Sequence, residues 1–378
     1  MALDLMEFSG KLLRYREQMR LSIAEISAST GISGDRLASL EAGNTPPTGD
    51  EVLILADFYK CDYRFFVSNE KLAPFEQTEK MYRRYGEEFS KSDRWVVQEF
   101  LFLCECEDFL ARTLQKPRTE FRYEPTGRYF KGQGEDAATK LREHLGYSDN
   151  RVALDVYSDF RKIGFHIFRR RLDNSNISGL TVPNPTTGPC ILVNYSEDIY
   201  RQRFTAAHEA AHALMDQTDI VVSFSKWDSK NLVEIRANTF AARYLLPPPL
   251  VRRLPVKVWN ESEIARWSMD LKVSTLALGI ALKENGIIGE DTYRDLTKVK
   301  VDTGLKTDPE LDGLTPKVHE RKKILLERGI SAFYASLCFD ALNDGVITNA
   351  RAAEMLLIGE EELPELAELF HVKSGLYD

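Results

Sequence analysis

The chain has 378 residues, 43 % of them apolar, enough to fill the cores of two or three domains. Its net charge of −8 and pI near 5.5 exclude a global electrostatic footprint for nucleic acid. With no apolar run near the roughly 18 residues of a membrane span and no signal-peptide pattern, the expectation is a cytoplasmic protein without a membrane partner. Its five cysteines, Cys61, Cys104, Cys106, Cys190 and Cys338, read as reduced core thiols.

Residues 8–67 read as four or five short helices. Ser22 and Ser33 are N-cap residues, Gly31 supplies a tight turn between two helices, and Gly43 ends the second. Ile23, Ile26, Ile32, Leu37 and Leu40 form the inner face, and a further helix follows Pro46-Pro47. The spacing of Leu37, Leu40, Glu41, Gly43 and Pro47 resembles the phage-repressor (XRE) type of helix-turn-helix, over a domain drawn at 8–70. That resemblance implies DNA binding through the start of the second helix: Ser33, Gly34, Asp35, Arg36 and Ser39. The charges give less support. Seven basic side chains stand against eight acidic ones in 8–67, so phosphate neutralisation is weak and a homodimer would be needed for firm binding. A helical module that docks proteins is the alternative reading.

Residues 75–118 look helical, with Val96, Phe100, Leu103 and Ala111 at core-facing spacing. Pro117, Pro125, Gly127, Gly132 and Gly134 mark 115–135 as a connector, closing a helical segment drawn at 75–135. Helices are predicted over Asp136–Leu145 and Val152–Ile163. A strand over Ile163–Phe168, a hairpin at Gly179 and a strand Cys190–Asn194 follow. The fold class is therefore mostly α with a small antiparallel sheet (α+β), and His166 is a satisfied sheet residue.

His208-Glu209-Ala210-Ala211-His212 carries the most chemistry. Apolar residues 204, 207, 211 and 214 recur at helical spacing, so the two histidines stand one turn apart on one side. Two neutral imidazoles so placed can share a Zn²⁺ ion, and Glu209 can take a proton from water on that ion. A catalytic zinc takes three protein ligands. Asp216, a further turn along, would put three donors in one line, which cannot wrap a tetrahedral ion. Asp219 and Asp228 remain open, and Glu234 is the better candidate. It lies on a second predicted helix from Leu232, stopped by Pro247-Pro248-Pro249. Ala210, Ala211, Ala237 and Ala241 would let the two helices approach closely.

H-E-x-x-H followed by E-x-x-A-N-x-F-A-x-x-L-L-x-P resembles the ImmA/IrrE family of bacterial zinc metallopeptidases. Ile177-Ser178-Gly179-Leu180, the strand ending at Asn194 and Arg201-Gln202-Arg203-Phe204-Thr205 fit as well, so the likeness covers roughly 136–290. It implies His208, His212 and Glu234 as ligands of Zn²⁺ (or Mn²⁺ in its place) and Glu209 as general base. One departure is visible: Ala210-Ala211 stand where the family commonly has Leu-Gly. The strand Cys190–Asn194, with Ile191, Val193 and Asn194, is taken as an edge onto which an extended substrate adds. The resemblance implies a transcriptional regulator fused to an endopeptidase that cleaves a repressor or other regulator, such as a helix-turn-helix protein, in a stress or mobile-element response. The alternative is a DNA- or protein-binding regulator whose zinc is structural or a sensor.

Downstream, Glu261–Trp267 and Ser274–Glu284 form a helix pair that resembles a second helix-turn-helix and reads as structural support. Residues 300–316 look like a linker, and 317–378 like a helical C-terminal unit with an acidic end.

Overall fold

The structure, a computed structural model, describes residues 3–68, 73–216, 220–225, 231–306 and 308–373. The chain divides into two compact units, one formed by Met1–Glu105 with Leu172–Asn174, the other by Cys106–Arg171 with Ser175–Asp378.

In the first unit, α1 (Leu5–Gln18), α2 (Ile23–Thr30), α3 (Gly34–Glu41), α4 (Gly49–Phe58) and α5 (Tyr63–Val67) enclose a core of Phe8, Leu12, Tyr15, Ile26, Leu37, Leu40, Leu55, Tyr59, Phe65 and Phe66. Each helix begins where the sequence offers an acceptor. Ser22–Glu25 and Thr48–Glu51 are reciprocal capping boxes on α2 and α4, and Ser33 caps α3. The tight turn rests on Gly31, whose φ of 74° suits a residue without Cβ. Arg16 on α1 clamps Glu41 on α3 with two nitrogens, 2.7 and 2.9 Å. Two further helices follow, α6 (Ala73–Tyr85) and α7 (Lys91–Thr113), and the division between units falls inside α7. Val97 rather than Val96 is the buried valine of α7.

The second unit opens with α8 (Phe130–His144) and α9 (Val156–Lys162). The stretch predicted as connector therefore turns helical at Phe130, six residues early. Strands β1 (His166–Arg170), β2 (Ile177–Val182) and β3 (Cys190–Asn194) lead into α10 (Ile199–Met215), then β4 (Val221–Phe224) and α11 (Leu232–Leu245). The sheet order is β1-β3-β2-β4. β2 runs antiparallel to β3 and to β4, whereas β1 runs parallel to β3, so the sheet is mixed rather than antiparallel. An apolar run carries no signal of strand direction, which is why the sequence missed this.

β3 lies in the middle of the sheet, paired on both sides and buried throughout. This corrects the expectation that Ile191, Val193 and Asn194 border a substrate. Ile191 and Val193 are core, and the Asn194 amide donates to Ile177 O at 2.7 Å while accepting from Ser196. The continuous run Cys190-Ile191-Leu192-Val193 is itself the pattern of a strand covered on both faces.

Helix α10 packs on β2 and β3, and α11 lies beside it, with Ala210, Ala211, Ala237 and Ala241 buried in the region where they meet. On its other flank α11 meets α8 so closely that a Cβ at Gly134 would stand 2.4 Å from Arg236 O. Small helices α12 (Pro248–Arg252), α13 (Glu261–Leu271), α14 (Thr275–Glu284) and α15 (Glu290–Leu296) follow. Finally α16 (Pro316–Glu327), α17 (Ala332–Asn343), α18 (Asn349–Met355) and α19 (Leu363–Leu369) gather near β1. Phe168 of β1 meets the Tyr334 ring at 5.3 Å, and Arg171 N donates to Glu327 O. Four of the five cysteines are buried and Cys61 is half-buried. No helix among the described residues is long and apolar enough to cross a membrane.

Candidate metal centre

α10 starts at Asp198, whose carboxylate accepts from Tyr200 N, and runs unbroken through the histidine pair. At 3.6 residues per turn, His208 and His212 stack on the side that faces α11, with ring centroids 4.8 Å apart. Glu234, in the first turn of α11, lies across from them: its oxygens are 3.3 Å from His208 Nε2 and 3.6 Å from His212 Nε2. One ligand atom from each of the three residues falls within 4.8 Å of the others. Donors bound to a tetrahedral ion at about 2.0–2.1 Å stand roughly 3.3 Å apart, so the spacing suits such an ion. Asp219 and Asp228, the other third-ligand candidates, lie outside the described residues.

The remaining nitrogens explain why a cation fits. His212 Nδ1 lies 2.9 Å from Asp216 Oδ2 and His208 Nδ1 3.2 Å from Asn238 Oδ1. Both acceptors are oxygens, so each Nδ1 is the donor and each neutral ring turns a lone pair outward from Nε2. Those two Nε2 atoms are only 3.1 Å apart. Two lone pairs and a carboxylate converging in a mostly buried space call for a shared positive charge. Burial works against protonation of His208. The Glu234 hydrogen bond and the nearby carboxylates still hold its pKa above the ordinary histidine value.

Glu209 comes one residue after His208 and so turns away by about 100°, into the sheet. It is fully buried. The Thr181 hydroxyl on β2 donates to its Oε2 at 2.7 Å, and Ser223 on β4 stands beside the same carboxylate. Oε1 meets no hydrogen-bond donor within bonding geometry among the described residues. Burial pushes the Glu209 carboxyl above the usual carboxylate range, against the pull of both imidazoles. Room for the side chain depends on Gly179, where a Cβ would be 3.0 Å from Glu209 Cγ and 2.9 Å from Leu192 O.

Sequence reasoning found the three ligand candidates and Glu209 but missed the residues that orient them. Asn238 was legible, because it follows Glu234 by four residues and must share its helix face. Asp216 was noticed for the same spacing from His212. Thr181 and Ser223 carry no local signal, since only strand register brings them to the helix.

In the amino-terminal unit, Ser33 and Asp35 are exposed at the start of α3, while Gly34 and Ser39 are half-buried. Arg36 is not free to reach outward. Its guanidinium donates to both Glu51 oxygens at 2.7 and 2.8 Å, to Thr45 Oγ1 and to Pro46 O. Ser39 Oγ is bonded to Thr45 as well.

No curated protein matches the chain. Residues 7–63 match the family model of a helix-turn-helix domain, and residues 160–283 that of the IrrE N-terminal-like domain, peptidase family M78. The matched span includes both histidines, Glu209, Glu234 and all four strands. The chain thus carries an IrrE N-terminal-like domain of the M78 peptidases together with an amino-terminal helix-turn-helix domain.

Proposed function

We propose that this protein is a transcriptional regulator fused to a zinc-dependent endopeptidase, whose substrate is a second regulator protein cut in a stress or mobile-element response. The observation that carries this reading is the donor set. Among the described residues, three ligands converge, and a buried carboxylate with one unpartnered oxygen stands next to them. Structural zinc sites close with four protein ligands, whereas catalytic ones keep a position open.

His208, His212 and Glu234 would hold the ion, which when bound supplies a Lewis acid that acidifies water and polarises a peptide carbonyl. Glu209 takes the proton of the attacking water as the new C–O bond forms. It then passes that proton to the amine nitrogen as the C–N bond breaks. β4 is the last strand in the order β1-β3-β2-β4, and Ser223 on that strand neighbours Glu209. An extended peptide adding to β4 would lie beside the base. DNA binding falls to the exposed start of α3, around Ser33, Gly34, Asp35 and Ser39, with Arg36 bracing it. A separate substrate is favoured over self-cleavage, because Lys306 and Asp308, within the 300–316 stretch, are held in ion pairs with Asp198 and Arg169.

The test is a set of full-length variants. His208→Ala, His212→Ala and Glu234→Ala should each lose zinc stoichiometry, while Glu209→Gln should keep it and lose cleavage of co-incubated helix-turn-helix repressors. A Glu209→Gln protein that functions as well as the wild type would favour the sensor reading instead.

A further inference from the structure

A chain of side chains leads from the turn before α8 to the metal helix. Gln133 on α8 is buried, and its amide nitrogen donates to Gly127 O at 3.0 Å and Thr126 O at 3.3 Å. Its amide oxygen accepts from Arg236 Nη1 at 3.1 Å. Arg236, also buried, sits on α11 two residues after Glu234, lies over the Phe130 ring and forms an ion pair with Asp216 Oδ1. The other oxygen of Asp216 takes the Nδ1 proton of His212. Each oxygen of this carboxylate therefore has its own donor, and the two donors fix its plane.

We propose that Asp216, clamped by Arg236 and through it by Gln133, is the positioning residue that locks the His212 ring with Nε2 toward Glu234 and so sets metal affinity. Asp216 ends the metal helix as its C-cap. Its half-buried side chain is held between the His212 ring and the guanidinium. The clamp also ties the two ligand helices to each other, because Arg236 and Glu234 share α11 while Asp216 and His212 share the run of α10. The inference rests on the metal-site reading above. It adds that Gln133 and Arg236 act on the site through Asp216. A carboxylate accepting the far N–H of a ligating imidazole is worth about 10–100-fold in affinity.

The experiment is competition titration of the full-length protein with Zn²⁺ against a chromophoric chelator, using wild type, Asp216→Asn, Arg236→Gln and the double variant. Asp216→Asn should weaken Zn²⁺ binding about 10–100-fold. Arg236→Gln should weaken it less, and should add almost nothing on top of Asp216→Asn. The visible absorption of the Co²⁺-loaded protein should shift in both single variants, as a turned imidazole alters the ligand field. Wild-type affinity and spectrum in Asp216→Asn would overturn the proposal, as would losses that simply add in the double variant. If Asp216→Asn does not fold, Arg236→Gln decides by the same spectrum. A wild type that binds no Zn²⁺ would defeat the metal-site reading itself, a distinct result.

Discussion

Two residues carry constraints that contacts alone would not announce. Gly179 is one: a methyl there meets Glu209 Cγ, Thr205 Cγ2 and a backbone oxygen, all at 3.0 Å or less. Gly179→Ala is expected to push Glu209 off its Thr181 hydrogen bond while leaving the three ligands in place. The protein should then keep zinc by elemental analysis and lose cleavage, the same outcome expected of Glu209→Gln. Glu51 is the other. The Arg36 guanidinium and the N-terminus of α4 hold its carboxyl down to about 2 from the ordinary 4.5. A carboxyl with a lowered folded pKa binds its proton more readily when unfolded. Its contribution is therefore complete above about pH 4.5 and drains away as pH falls toward 2. The melting-temperature gap between wild type and Glu51→Gln should narrow from about pH 5 to about pH 3. A gap independent of pH would show that the pair contributes nothing through its charge. Arg36→Ala should weaken DNA binding by loosening α3 against α4, with a lower melting temperature rather than only a flatter salt dependence.

At the scale of elements, helix α10 was readable because its signals are local: a period near 3.6, two histidines four apart, and a glutamate between them. Helix α11 was readable from Glu234 and its alanines, and the capped helices of the amino-terminal unit from Ser22, Ser33 and Gly43. What failed was everything set by long-range pairing. The parallel match of β1 with β3, the central place of β3 and the helical start at Phe130 depend on partners far away in sequence. Gly134 misled for a definite reason. Glycine in a proline-rich stretch suggests a loop, yet here it permits α8 to touch the backbone of α11. Gly134→Ala should cost about 1–3 kcal/mol by overpacking, and by moving α11 should lower zinc occupancy through Glu234. Chemical denaturation followed by metal analysis would check both, and an unchanged midpoint would mean the helices separate at little cost.

For the second unit as a whole, the carboxy-terminal helices are part of one body with the sheet. Lys306 meets Asp198 at the N-cap of α10, Asp308 meets Arg169 on β1, and Glu310 accepts from Ala332 N at the start of α17. Beyond them, Tyr334 covers Phe168, and Glu327 takes the Arg171 N–H that follows β1. Removing 300–378 would uncover edge strand β1, leaving the Arg171 N–H without its Glu327 acceptor and Phe168 wet. Such a strand is a template for a second copy of itself. The shortened protein should self-associate with concentration, visible by light scattering, and a monodisperse monomer would refute this. A single nick near Asp302 would then do more than release a tail. It would turn a solubilising cover into a lost one and commit the remaining fragment to aggregation.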